Sequence, residues 1–278
     1  MNQKRTAGAV FAALGKAVCY LFLFLLCQTL VSVGYTLVIM LYSMLNHHVA
    51  VDYMGLVYAC ADQISMISGL ATLVILAAFF LLRRKNPLGE CGLRRTPGRY
   101  VFTAIAITPI LYAAIIFVMG LLPEAWLADY VEASASLNQT GLLMAIATVV
   151  IAPIVEEVIF RGLILSRLRR AMPGWLAVLL SALIFGLCHG QAVWMAYAFV
   201  LGVIFGFLAL RSGSLWPSLA AHVLFNGIGQ ASAYLPETDE AALWFTLALV
   251  VGGAVLCVLS TLYRTFRPLK DKNSAQPS

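Results

Sequence analysis

Three charged residues fall within six positions of an otherwise apolar run, Ala152-Pro153-Ile154-Val155-Glu156-Glu157-Val158-Ile159-Phe160-Arg161-Gly162-Leu163-Ile164-Leu165. A charge at the centre of a bilayer costs about 2.5–3.5 kcal/mol on insertion scales, so each needs a partner or a cavity. Glu157 and Arg161 are four apart and share a helix face, where they can pair. Glu156 points about 100° away from Glu157 and is left to face a cavity, a position that suits a general base. Two histidines also lie in apolar runs, His189 after Phe185-Gly186-Leu187-Cys188 and His222 before Val223-Leu224-Phe225-Asn226. His222 and Asn226 are four apart and share a face. A purely structural reading stays open for each: an ion network for the charges, hydrogen bonds within a bundle for the histidines. His47 and His48 belong to an outer loop and are read as solvated.

The elements that must position these residues are membrane helices. The chain has 278 residues, of which 62% are hydrophobic and only 11% charged, against about 25% charged in a soluble domain. It cannot cover its surface against water, and in lipid only helices and closed barrels satisfy their backbone. The apolar runs are continuous rather than alternating, which predicts an all-α, polytopic membrane bundle. About eight transmembrane helices are expected, at 17–43, 60–82, 101–122, 141–165, 174–190, 191–210, 215–235 and 242–263, with a weak boundary at Gly190-Gln191. The first run is too long for a signal h-region and is read as a retained span. Residues 1–266 form one transmembrane domain and 267–278 a polar tail.

With eight spans and both termini cytoplasmic, all 18 Lys and Arg fall on one side, and Asp52, Glu124, Asp129, Glu132, Glu237, Asp239 and Glu240 on the other. That asymmetry follows the positive-inside rule and accounts for the net charge of +6. No basic stretch is interleaved with aromatics outside the spans, so no nucleic-acid partner is expected. Six cysteines form no CxxC pair and are read as small hydrophobes. Gly186/Gly190 and Gly202/Gly206 are spaced to let helices approach closely. At 1.5 Å per residue, Glu156, His222, Asn226 and His189 lie roughly 15, 12, 18 and 22 Å from the arginine-rich ends of their helices. That range permits a shared site near mid-membrane.

Glu-Glu-x-x-x-Arg at 156–161, Phe-x-x-x-His at 185–189 and His-x-x-x-Asn at 222–226, in this order and each in an apolar span, resemble the signature of the CAAX prenyl protease and bacteriocin-processing family of intramembrane proteases. The resemblance covers residues 140–235. It implies a multi-pass endopeptidase of the bacterial plasma membrane, acting on a membrane-associated protein or peptide. Carried over by position, Glu156 would activate water, His189 would help hold it, and His222 and Asn226 would stabilise the oxyanion, with Glu157 and Arg161 in support. A metal version stays open, with Glu156, His189 and His222 as ligands of a divalent ion such as zinc and Glu157 as base. The metal-free chemistry is preferred, because HExxH and any pair of ligands on one helix turn are missing. Two other function classes compete: a non-enzymatic immunity or scaffold protein on the same fold, and a transporter or proton relay. The latter lacks a first-half counterpart to the break at Pro153. Ser181 and Ser218 lack the Gly-x-Ser-Gly setting of a serine protease.

Overall fold

The computed structural model describes residues 7–45, 60–135, 141–236 and 238–266, so His47, His48, Asp52, Glu237 and the 267–278 tail lie outside the described residues. The described residues form helices and no strand. Apolar helices occur at all eight expected places: α1 (Ala7–Leu45), α2 (Ala61–Leu82), α4 (Gly98–Gly120), α6 (Leu142–Ala171), α7 (Gly174–Leu187), α8 (Ala192–Ser212), α9 (Trp216–Ser232) and α10 (Asp239–Phe266). Two more lie in connections, α3 (Pro87–Glu90) and α5 (Glu124–Ala135). The chain is a multi-pass helical membrane protein.

Among these, six are long and apolar enough to cross a membrane: α1, α2, α4, α6, α8 and α10. The 14 residues of α7 and the 17 of α9 rise about 21 and 26 Å, short of a hydrocarbon core of about 30 Å. These two carry or adjoin His189 and His222. The site therefore combines one membrane-length helix, α6, with two shorter ones. The 124–135 segment, read from sequence as part of a loop, is the helix α5.

Local chemistry sets the boundaries. Asn86 caps α3, its side chain accepting from the Leu88 amide at 3.1 Å, with Pro87 in the first turn. Pro173 stops α6 from running into α7. Gly213 ends α8 in the left-handed conformation at φ 67°. Gly190, at φ 77°, turns the chain between α7 and α8 and has open space where a Cβ would stand. It is a turn residue, whereas Gly186, Gly202 and Gly206 do sit at close helix contacts.

Helix α6 is the axis of the bundle. It packs against α1, α2, α7, α8 and α9, and every residue from Glu157 to Leu165 is buried. Its core contacts include Phe24, Leu76, Phe80, Val178 and Phe185. A second apolar cluster, with Tyr112, Leu201, Phe205 and Phe225, joins α4, α8 and α9. Helix α6 also departs from 3.6-residue geometry: 146–151 and 157–165 are wide π-helical turns. Such turns are uncommon and frequent at functional sites. Carbonyls in both take side-chain donors from other helices, Phe160 O from Ser181 Oγ at 2.9 Å and Thr148 O from Asn226 Nδ2 at 2.9 Å.

Candidate active site

Glu156, His189, His222 and Asn226 line one cavity of about 770 Å³, within the size range of small-ligand sites. Helix α6 supplies Glu156, the loop after α7 supplies His189, and α9 supplies His222 and Asn226. The wall also includes Thr148, Phe185 and Trp194. Glu156 is the accessible carboxylate, with 23% of its side chain exposed against 1% for Glu157. The 100° offset read from sequence thus separates a cavity-facing Glu156 from a buried Glu157.

Glu157 has two partners, one more than its four-residue spacing predicts. Arg161 Nη1 lies 3.0 Å from Glu157 Oε1, as the four-residue spacing predicts. The same oxygen accepts from His222 Nδ1 at 3.0 Å, across 65 positions of sequence. The Arg161 contact is one of charge without hydrogen-bond alignment: neither Nη nor Glu157 Oε2 has a hydrogen-bond partner among the described residues. Aromatic faces complete the guanidinium's surroundings, with Phe185 at 4.2 Å and Phe205 at 5.6 Å. A desolvated cation over a ring gains about 2 kcal/mol, which offsets part of the cost of burying it.

The hydrogen bonds assign the imidazoles. A backbone carbonyl only accepts, so the 2.9 Å contact from His189 Nδ1 to Phe185 O places a proton on Nδ1. Nε2 is then the nitrogen of neutral His189 with a free lone pair. His222 likewise donates from Nδ1 to Glu157, and its Nε2 lies 3.6 Å from Glu156 Oε2. Phe185 stands edge-on to both rings, at 4.8 Å from His189 and 6.0 Å from His222. Its place in Phe-x-x-x-His therefore has a packing reason.

Ser181 and Ser218 are buried and donate to backbone carbonyls, Ser218 to Leu215 O at 3.0 Å. Gln230, which sequence reasoning missed, lines the cavity and accepts from Thr148 Oγ1 at 3.2 Å. It follows Asn226 by four and His222 by eight, so extending that helix face by one turn finds it. Among the described residues, no three of His, Cys, Asp and Glu gather as a metal-ligand set. Glu156, His189 and His222 line the same cavity without closing into such a set, and the metalloprotease label gains no support.

Comparison with known proteins finds similarity over the part of the chain that carries these residues. The model of the Rce1-like family, type II CAAX prenyl endopeptidase Rce1-like, matches residues 138–228. A Bacillus subtilis (strain 168) protein named "Putative membrane peptidase YdiL" is 28% identical over 130 residues, 46% of this chain and 53% of that protein. An Escherichia coli protein, "Uncharacterized 24.3 kDa protein", is 27% identical over 170 residues, 58% of this chain and 76% of the other. The match thus spans about half the length of the B. subtilis relative. No solved structure matches the chain. Fold and site define a polytopic helical membrane protein with one carboxylate, two imidazoles and a carboxamide on a shared cavity. Residues 138–228, which hold all three motifs, are similar to the Rce1-like family of type II CAAX prenyl endopeptidases.

Proposed function

We propose that the protein is an intramembrane endopeptidase that hydrolyses a peptide bond in a membrane-associated protein or peptide without a metal ion. The observation that carries this reading is the meeting of one carboxylate, two imidazoles and one carboxamide on a single cavity. Peptide hydrolysis needs a base for water and donors for the developing oxyanion. Glu156 takes a proton from water, and the Nε2 lone pair of His189 holds that water in place. The new C–O bond forms as the carbonyl electron pair moves onto oxygen. Asn226 has two amide protons; one goes to Thr148 O and the other is free for the oxyanion. His222 donates from Nε2, and because Nδ1 is already given to Glu157, it does so as the imidazolium. The C–N bond then breaks as Glu156 returns its proton to the departing nitrogen.

The family's description names prenyl endopeptidases, which makes a prenylated C-terminus one substrate class and a cleaved leader another. The test is membrane proteomics of wild-type cells against Glu156→Ala cells. A C-terminal or leader fragment made only by the wild type supports the reading. A purified Glu156→Ala protein that keeps full peptidase activity overturns it. Stoichiometric zinc in purified protein, with activity lost on its removal and regained on its return, would sink the metal-free chemistry alone.

A further inference from the structure

A second cavity, of about 260 Å³, lies at the arginine-rich end of the bundle. Five arginines line it, Arg94, Arg161, Arg167, Arg169 and Arg170, against one carboxylate, Glu90. Arg161 pairs with Glu157, and Arg167 with Glu90 at 2.9 Å. Arg94, Arg169 and Arg170 pair with no carboxylate among the described residues. Basic residues at a helix C-terminus compensate the helix dipole, which accounts for Arg169 and Arg170 on their own helix. It does not account for Arg94, which arrives from the loop between α3 and α4.

That loop is held in place. Leu215 N donates to Gly92 O at 3.0 Å, and Ser214 Oγ to Arg94 O at 2.6 Å. Gly162 leaves room for the loop: a Cβ there would stand 2.4 Å from Cys91 O. Three separate segments are therefore fastened around a pocket whose charge is strongly positive. We propose that this cavity binds a phosphate-bearing anion. Its volume lies below the roughly 300–1,000 Å³ of sites that enclose drug-sized ligands, so it suits a phosphate headgroup rather than a whole metabolite. Basic pockets between transmembrane helices at the membrane surface take anionic lipid headgroups in this way. The site is separate from the catalytic cavity, and its test does not depend on peptidase activity.

The experiment uses the purified full chain in vesicles of phosphatidylcholine alone or with phosphatidylglycerol, and in phosphatidylcholine with inorganic phosphate. Thermal unfolding is the readout. Phosphatidylglycerol at about a hundred times its Kd raises Tm by about 5–10 °C. Arg169→Gln/Arg170→Gln weakens binding about thirtyfold, near fivefold for each arginine. Arg83→Gln/Arg84→Gln removes the same charge from outside the cavity and leaves binding within about twofold. If the first pair fails to fold, Arg94→Gln replaces it, with an expected loss of about fivefold. A rise with inorganic phosphate alone, lost in the same variants, supports the site and assigns it a soluble ligand. No rise with either probe overturns the proposal, as does an equal loss in both arginine pairs, which would mean general surface attraction.

Discussion

His222 donates from Nδ1 to Glu157 Oε1 at 3.0 Å, and that same oxygen is the one Arg161 approaches at 3.0 Å. One buried carboxylate oxygen thus joins a structural ion pair to a proposed catalytic ring. Two effects of Glu157 can be separated by mutation. Glu157→Gln leaves Arg161 buried without a counter-charge, which destabilises by about 3–5 kcal/mol. Adding Arg161→Met restores most of that stability, since an apolar replacement of a buried pair is often neutral. Activity stays about 10–100-fold low in the double variant, because His222 has lost its carboxylate partner. Recovery of activity together with stability, in parallel kinetic and unfolding measurements, would show that Glu157 serves the fold alone.

The proposed chemistry ranks the cavity residues. Glu156→Ala lowers kcat by about 10²–10⁴, the range of a lost general base. Its side chain is partly exposed to the cavity and is absent from the apolar core clusters, so Tm stays within about 2 °C of wild type. Asn226→Ala removes an oxyanion donor and lowers kcat by about 10²–10³ with KM little changed. A rise in KM at constant kcat in either variant would place that residue in substrate binding.

Much of this was legible in the sequence, and the gaps have physical causes. Charge poverty and continuous apolar runs gave the helical membrane bundle, and motif spacing gave the cavity residues. Periodicity speaks only within a helix. It placed Arg161 beside Glu157 but carried no information on His222, 65 positions away on another helix. It also assumed 3.6 residues per turn, whereas α6 holds wide turns at 146–151 and 157–165. Depths estimated at 1.5 Å per residue therefore do not apply along that helix. Helix α5 escaped notice because Glu124, Asp129 and Glu132 interrupt its apolar positions. Nothing in local sequence shows that Tyr130 from this helix packs on Trp194 and Tyr197 at about 6 Å beside the cavity.

Close backbone packing at Gly162 makes a sharper stability prediction than any exposed position. An added Cβ meets Cys91 O at 2.4 Å, Cys91 C at 3.1 Å and Leu215 Cδ1 at 3.3 Å. Two of these are backbone atoms and cannot swing aside. Gly162→Ala is expected to cost about 1–3 kcal/mol or more, the range for overpacking. Gly34→Ala, with nothing within 4 Å of the new atom, is neutral or slightly stabilising, since alanine favours a helix over glycine. Denaturation of the two variants in one detergent checks the ordering, and equal stability would refute the close approach.

The loop that frames the arginine-rich cavity has a pH dependence of known sign. Glu90 Oε1 lies 3.3 Å from Lys85 Nζ and Oε2 lies 2.9 Å from Arg167 Nη2. Burial pushes the Glu90 carboxyl up, but the hydrogen bonds and charges of Lys85 and Arg167 outweigh it and hold the group below the usual carboxylate range. A carboxylate whose pKa is lower folded than unfolded stabilises the fold above its unfolded value, and that contribution is lost as pH falls through the folded value. With a quarter of the side chain exposed to solvent, the contribution is about 1 kcal/mol or less. The stability gap between wild type and Glu90→Gln is therefore full at about pH 6 and closes towards about pH 3. Lys85→Met narrows the gap less than Arg167→Met, because Lys85 is half exposed and Arg167 is buried. Unfolding of the variants across that pH range measures the ordering directly, and a gap that widens on acidification would reverse the assigned sign.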